Sequence, residues 1–391
     1  MKKTLISVAV LSVVTAPLVT TSVQAQTTNK SIYGTIDSGM RYSNKAGHDH
    51  LGNAKESRLS GNSGGLTGSH LGFKGQEDLG QGTTTIFNLE AGINMSTGDS
   101  NSSSDTSIYG KKSENKSLFG RQAYLGIGHQ EFGHITMGRQ YTISYDVIKD
   151  FDPSNNINQS QTIHYLSGYA DFKNNHNRSD NTIKYRHQLA GVTTLASYKS
   201  GNQVGSVTNG SEVAVGMLYK NSTWGVGASF TEIGIAKMQD TVAAASQALG
   251  KTQIYNLAGE YKLNRFKFRT GFSQTKLPQL KIGDIFNHPQ LTIPHRDQVG
   301  STIFISAWGA QYNLSPKIEL SLAQYSKLQY QSPSYRLMDK DKRTVLSSLY
   351  KLSKRTDIYG FMDWHSNRAG VSETNKSKNQ QSITAGLRHS F

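Results

Sequence analysis

The sequence predicts an all-β fold, a 16-stranded antiparallel transmembrane β-barrel with short turns at one end and long loops at the other. Three observations carry this expectation. Apolar and polar residues alternate with period two through sixteen segments, the connectors alternate strictly between short and long, and the chain stops inside such a segment. The closing stretch SITAGLRHSF puts Ile383, Ala385, Leu387, His389 and Phe391 on one face and Ser382, Thr384, Gly386, Arg388 and Ser390 on the other. Free ends of soluble chains usually fray instead.

From the N-terminus, Lys2 and Lys3 precede an apolar run and a Val23-Gln24-Ala25 cleavage pattern, which reads as a signal peptide over 1–25, leaving 26–391 as the mature chain. Beyond it no run reaches the roughly 18 consecutive apolar residues of a membrane helix. The chain has no cysteine, so no disulfide framework supports it, and only 35% of its residues are hydrophobic. Without Lys2 and Lys3, the 42 basic residues fall to 40 against 27 acidic ones, a net +13 that attracts anionic partners. Zinc-finger spacings and RNA-binding signatures are missing from the sequence, which argues against a nucleic-acid partner.

Period-two strands are expected at 31–43, 69–76, 83–96, 118–129, 134–142, 181–188, 192–200 and 211–220, then at 224–233, 252–263, 266–276, 301–313, 317–328, 342–352, 356–366 and 382–391. TQIYNLAGEYKL followed by RFKFRTGFSQT is representative: one face carries Tyr255, Leu257, Tyr261, Phe266, Phe268 and Phe272, the other Glu260, Lys262, Lys267 and Arg269. Short connectors such as EDLGQG, EFG, LAG and NST hold turn-forming residues. The long ones are 44–68, 97–117, 143–180, 201–210, 234–251, 277–300, 329–341 and 367–381, so all emerge at the same end. A sandwich has no reason to sort loops by length. A closed barrel in lipid pairs every strand, turns apolar faces outward and lines water with polar ones, which accounts for the low hydrophobic content. Sixteen strands leave an aqueous channel. Tyr219, Trp224, Tyr261, Phe266, Tyr312, Tyr350 and Tyr359 beside the short turns suit an interfacial aromatic girdle.

The stretches SIYGTIDSGMRYS, HLGFKGQEDLGQGTTTIFNLEAG, SLFGRQAYLGIGHQEFGHITMGRQY, YKLSKRTDIYGFM and GLRHSF resemble the general porins of Gram-negative bacteria, notably those of the Neisseria, Bordetella and Burkholderia type. The resemblance spans the chain. It implies an outer-membrane location, periplasmic short turns, extracellular long loops, a homotrimer, contact with lipopolysaccharide, and a terminal Phe391 read as an assembly signal by the barrel-assembly machinery. It further implies that 143–180 folds into the pore as a constriction loop whose Asp146, Asp150 and Asp152 form an acidic wall. Opposite them, Arg121, Arg139 and Arg186 match basic pore positions of the family. Lys184 shares a face with Arg186 by strand periodicity. His70 stands where the family usually has Arg.

The function expected is passive diffusion of small hydrophilic solutes and ions with a weak anion preference, without cofactor or catalysis. A substrate-specific channel and a structural or adhesive barrel are the alternatives. Asp363 and His365 share a strand face, but G-x-S-x-G and H-E-x-x-H motifs do not occur, and His48 with His50 is a weak metal-ligand set.

Overall fold

The computed structural model describes residues 28–44, 56–100, 117–155, 157, 177–202, 206–237, 247–278, 300–331, 336–369 and 379–391. The expected signal peptide, His48 and His50, most of the 97–117 loop and residues 158–176 of the constriction loop lie outside them.

Seventeen strands form one sheet: β1 (Thr28–Ser43), β2 (Arg58–Ser63), β3 (His70–Gly80), β4 (Thr83–Gly92), β5 (Gln122–His129), β6 (Gly133–Tyr141), β7 (Arg178–Leu189), β8 (Val192–Lys199) and β9 (Glu212–Lys220). They continue as β10 (Trp224–Lys237), β11 (Gln247–Leu263), β12 (Phe266–Lys276), β13 (Ser301–Asn313), β14 (Ile318–Gln331), β15 (Arg336–Lys351), β16 (Thr356–Ala369) and β17 (Asn379–Ser390). One short helix, α1 (Ile143–Ile148), follows β6. Apart from β2 and β3, sequence neighbours pair antiparallel, and β17 returns to β1 from Thr35 opposite Ser390 to Ser43 opposite Ser382. The sheet therefore closes on itself, as a barrel in lipid requires.

Seventeen strands make sixteen staves. On one side of β1, residues 28–35 pair with β3 and residues 38–43 pair with β2, so β2 and β3 are two halves of one stave. The sequence reading placed 58–63 inside the 44–68 loop, because RLSGNS has a single large apolar residue, Leu59. The break between the halves folds inward around Asp37. Its buried carboxylate accepts backbone N–H bonds from Gly65 (3.1 Å), Leu66 (2.8 Å) and Thr67 (2.8 Å) and the Tyr359 hydroxyl (2.5 Å). Strand ends also move: β4 stops at Gly92 instead of 96, while β11 begins at Gln247 instead of 252 and β15 at Arg336 instead of 342.

Side chains alternate as the period-two pattern requires. Met40, Phe73, Leu125, Met217, Leu257, Trp308, Leu346 and Leu387 are exposed on the outer face, where lipid would cover them. Residues of the opposite parity, among them Glu90, Thr231, Ser273 and Thr384, are buried on the inner face.

Phe391 completes the seam. Its N–H donates to the Gly34 carbonyl (3.1 Å), and its own carbonyl accepts from Gly34 N (3.2 Å). A Cβ on Gly34 would fall 2.6 Å from Phe391 Cζ, so the glycine makes room for the ring. Deleting Phe391 removes two ladder bonds, about 0.5–1.5 kcal/mol each, and the ring that covers the seam. The expected result is less heat-modifiable barrel in outer-membrane fractions, with synthesis and export intact. Unchanged insertion would leave Phe391 a packing role only.

Candidate pore constriction

After β6 the chain turns into the lumen. Thr142 caps α1 by accepting from Tyr145 N (3.3 Å), and a 3-10 turn, Lys149–Phe151, continues it. Ile143, Val147, Ile148 and Phe151 are completely buried in one cluster with Leu195 on β8, Ala214 and Leu218 on β9, Ala258 on β11, Ile305 and Ala307 on β13, and Ala323 on β14. The barrel thus has a small apolar core inside its lumen. Glycines make the space: a Cβ on Gly227 of β10 would lie 2.8 Å from Phe151 and 2.9 Å from Val147.

The segment then follows the inner wall. Tyr325 on β14 donates its hydroxyl to Asp152 (2.7 Å) and accepts from Ser154 N (3.0 Å). Ile157 packs with Val345 on β15, Tyr359 and Phe361 on β16, and Leu66 from the break in the second stave. Two inward segments, 64–69 and 143–157, therefore meet inside the barrel.

The expected acidic wall has another arrangement. Asp146 lies between Lys149 Nζ (2.9 Å) and Lys184 Nζ (2.8 Å). Burial alone would raise its pKa, but the charges of Lys184 and Lys149 override burial and hold it at about 2. Since the folded value is depressed, this pairing holds the loop fully above the ordinary aspartate range and is lost as pH falls through about 2. Asp150 faces Lys220 at 3.4 Å and is the most exposed of the three. Asp152 is fully buried and also accepts from Ser154 Oγ (2.7 Å), which makes it an anchor between loop and wall.

The cations cluster around two tyrosines. Tyr141 and Tyr145 stack with centroids 4.4 Å apart, and the Arg178 guanidinium sits 4.6 Å over Tyr141 while donating to its hydroxyl (3.0 Å). Arg121 donates to that hydroxyl (3.3 Å) and to Glu90 Oε1 (2.5 Å). Glu90 also accepts from the Tyr33 hydroxyl (2.8 Å), and His70 Nε2 is 4.0 Å away. Arg121, Lys184 and His70 are thus gathered on the inner wall beside the loop. Arg186 lies on the inner row nearer the short turns and has no ion pair with any described residue. Arg139 stands apart: it shares the outward row of Ile135 and Met137 and is bound to Asp180 (2.5 Å) and the Gly120 carbonyl (2.6 Å). The bulge between Gly138 and Gln140 disturbs the row just there.

Several inward charges escaped the sequence reading. Arg178 begins β7 although it falls within the expected 143–180 loop, Arg41 pairs with Asp363 (2.8 Å), and Arg388 pairs with Asp357 (2.6 Å). The period-two rule puts Arg41 and Arg388 on inner rows, so that signal was present. Asp363 and His365 do share the inner face, but His365 pairs with Asp341 (2.7 Å) and Asp363 with Arg41, so they form no acid–base pair with each other.

A family model described as Gram-negative porin matches residues 8–370. The chain belongs to the Gram-negative porin family. An outer membrane porin protein of Bordetella pertussis is 26% identical and an outer membrane porin protein of Delftia acidovorans is 23% identical, each over the whole of both chains. Among solved structures, an anion-selective porin from Comamonas acidovorans matches 93% of this porin and 100% of its own chain at TM-score 0.67 and 20% identity. Salmonella typhi OmpF matches 93% of this porin and 97% of its own chain at TM-score 0.61 and 14% identity. Together the barrel and the family establish an outer-membrane channel for passive diffusion of small hydrophilic solutes and ions, and not an enzyme.

Proposed function

We propose that this porin prefers anions and that residues 143–157 set its constriction. The observation that carries the reading is the fate of the loop acids. Asp146 is enclosed by two lysines, Asp152 is buried against Tyr325, and Asp150 faces Lys220, so the acids offer little free negative field. Arg121, Arg178, Lys149 and Lys184, with His70 among them, outnumber the carboxylates Glu90 and Asp146 beside the loop, and Arg186 adds a positive charge on the inner row nearer the short turns. Charges this close to the path act on every passing ion, whereas loop charges farther than about 8–10 Å are screened at physiological salt.

The same reading includes a homotrimer, with 97–117 latching onto a neighbouring subunit, contact of the basic long loops with lipopolysaccharide phosphates, and recognition of Phe391 by the barrel-assembly machinery. A trimer form of Vibrio cholerae OmpT, TM-score 0.58, supports the first of these by likeness of fold. In a KCl gradient across a planar bilayer, the purified porin should give a reversal potential with the sign of chloride selectivity. A potassium-selective reading would overturn the anion preference and leave the channel assignment standing.

A further inference from the structure

At the short-turn end, below the constriction, the inner wall holds a cavity of about 500 Å³. It is built by consecutive staves: Gln76 from β3, Thr84 from β4, Gly128 from β5, His134 from β6, and Arg186 and Gln188 from β7. By strand parity all six belong to inner rows, and His134 and Arg186 face each other in register. Gly128 leaves room in its wall. A Cβ there would come within 3.2 Å of both Thr84 Oγ1 and His134 Cβ, so a larger residue crowds those two side chains and narrows the cavity.

The lining is chemically one-sided. It contains no carboxylate, and the Arg186 side chain has no ion-pair or hydrogen-bond partner among the described residues. Around it stand groups that can donate: three glutamine amides, a threonine hydroxyl and three imidazoles. A planar guanidinium matches the geometry of phosphate and carboxylate oxygens through paired N–H donors. The volume lies within the roughly 300–1,000 Å³ of small-molecule sites and exceeds what a bare ion needs.

We propose that this cavity is a periplasmic-side binding site for small phosphate monoesters, the phosphate held by Arg186 and His134 and the hydroxylated remainder by Gln76, Thr84 and Gln188. It deepens the anion-preferring reading, because a site just below the constriction delays such a solute after the charged zone has admitted it. The site is shallow and open to water, so it binds weakly and exchanges fast.

The test is bilayer recording of the intact porin with glucose 6-phosphate added to one side at a time. Concentration-dependent current interruptions are expected at lower concentration from the periplasmic side, with equimolar glucose giving none. Gly128→Val crowds Thr84 and His134 in the cavity wall without changing charge, so it should weaken the interruptions several-fold and leave the KCl reversal potential unchanged. Gln76→Leu, which leaves the backbone at Gly128 alone, should weaken them several-fold, and Arg186→Gln should remove them. Equal interruption from both sides, or interruption undiminished in both Gly128→Val and Arg186→Gln, would overturn the site. A chloride-selective reversal potential without any interruption would overturn it too, leaving the anion preference intact, whereas a potassium-selective wild type would defeat the anion preference alone.

Discussion

Replacing Arg121 and Arg186 together by alanine is expected to move the reversal potential in a KCl gradient toward potassium and to raise conductance. Arg121 is the partner of Glu90, at 2.5 Å, so its removal deletes a positive charge and also uncovers a carboxylate whose side chain is otherwise 5% exposed. Arg186 has no acid beside it, so its removal subtracts only its own charge. At about 5 Å in water one unit charge shifts an ion's energy by about 0.8 kcal/mol, roughly fourfold in local concentration and of opposite sense for chloride and potassium. Two such losses change the permeability ratio by at least about tenfold. The measurement belongs at about 0.1 M salt, where the screening length is about 10 Å, since at 1 M it shrinks to about 3 Å and hides the effect. Arg121→Lys keeps the charge and should keep the selectivity. An unchanged reversal potential in the double variant, with heat-modifiable barrel present in normal amount, would show that these two arginines do not set selectivity.

The barrel was legible because its determinants are local. Alternation at Leu257, Gly259 and Tyr261 against Ala258, Glu260 and Lys262 defines a stave and its two faces without knowledge of any partner, and the closing row up to Phe391 declared the seam. What escaped depends on contacts between distant parts. The stave split into β2 and β3 exists because Asp37 captures the N–H groups of Gly65, Leu66 and Thr67, about thirty residues away. Nothing in RLSGNS alone announces a strand. Likewise the apolar inner residues Leu195, Ala214, Ile305 and Ala323 read as breaks in a polar inner row, and their reason appears only once α1 lies on them. The acids lie after β6, but their surroundings are set by Lys184 and Tyr325, which come from other staves. Arg139 misled because its pore role was carried over from the motif, although period two alone puts it on the outward row of Ile135 and Met137.

Val147→Asp is expected to free the proposed constriction loop from the wall while leaving the barrel folded. Val147 is completely buried among Ile143, Phe151 and the inner-wall residues of β8 to β14. Each such side chain contributes about 1.5–3 kcal/mol by burial, and a carboxylate in that place adds several kcal/mol of desolvation with no partner provided for it. Together these exceed what one anchor such as the Tyr325–Asp152 hydrogen bond, worth about 1.5–3 kcal/mol as a bond to a charged group, can hold. The staves lose no ladder bonds, so the gel shift on heating should persist. Gly227→Leu attacks the same seat from the wall side, since even its Cβ would come 2.8 Å from Phe151 and 2.9 Å from Val147. In both variants the segment from Ile143 to Phe151 no longer rests on one surface, and it samples the open lumen. Single-channel recordings should therefore change from one steady level to rapid fluctuation among several, with open-channel noise raised several-fold. Liposome swelling should also admit larger neutral sugars. Quiet, wild-type currents in both variants would mean that the loop is held by its polar anchors and not by the apolar seat.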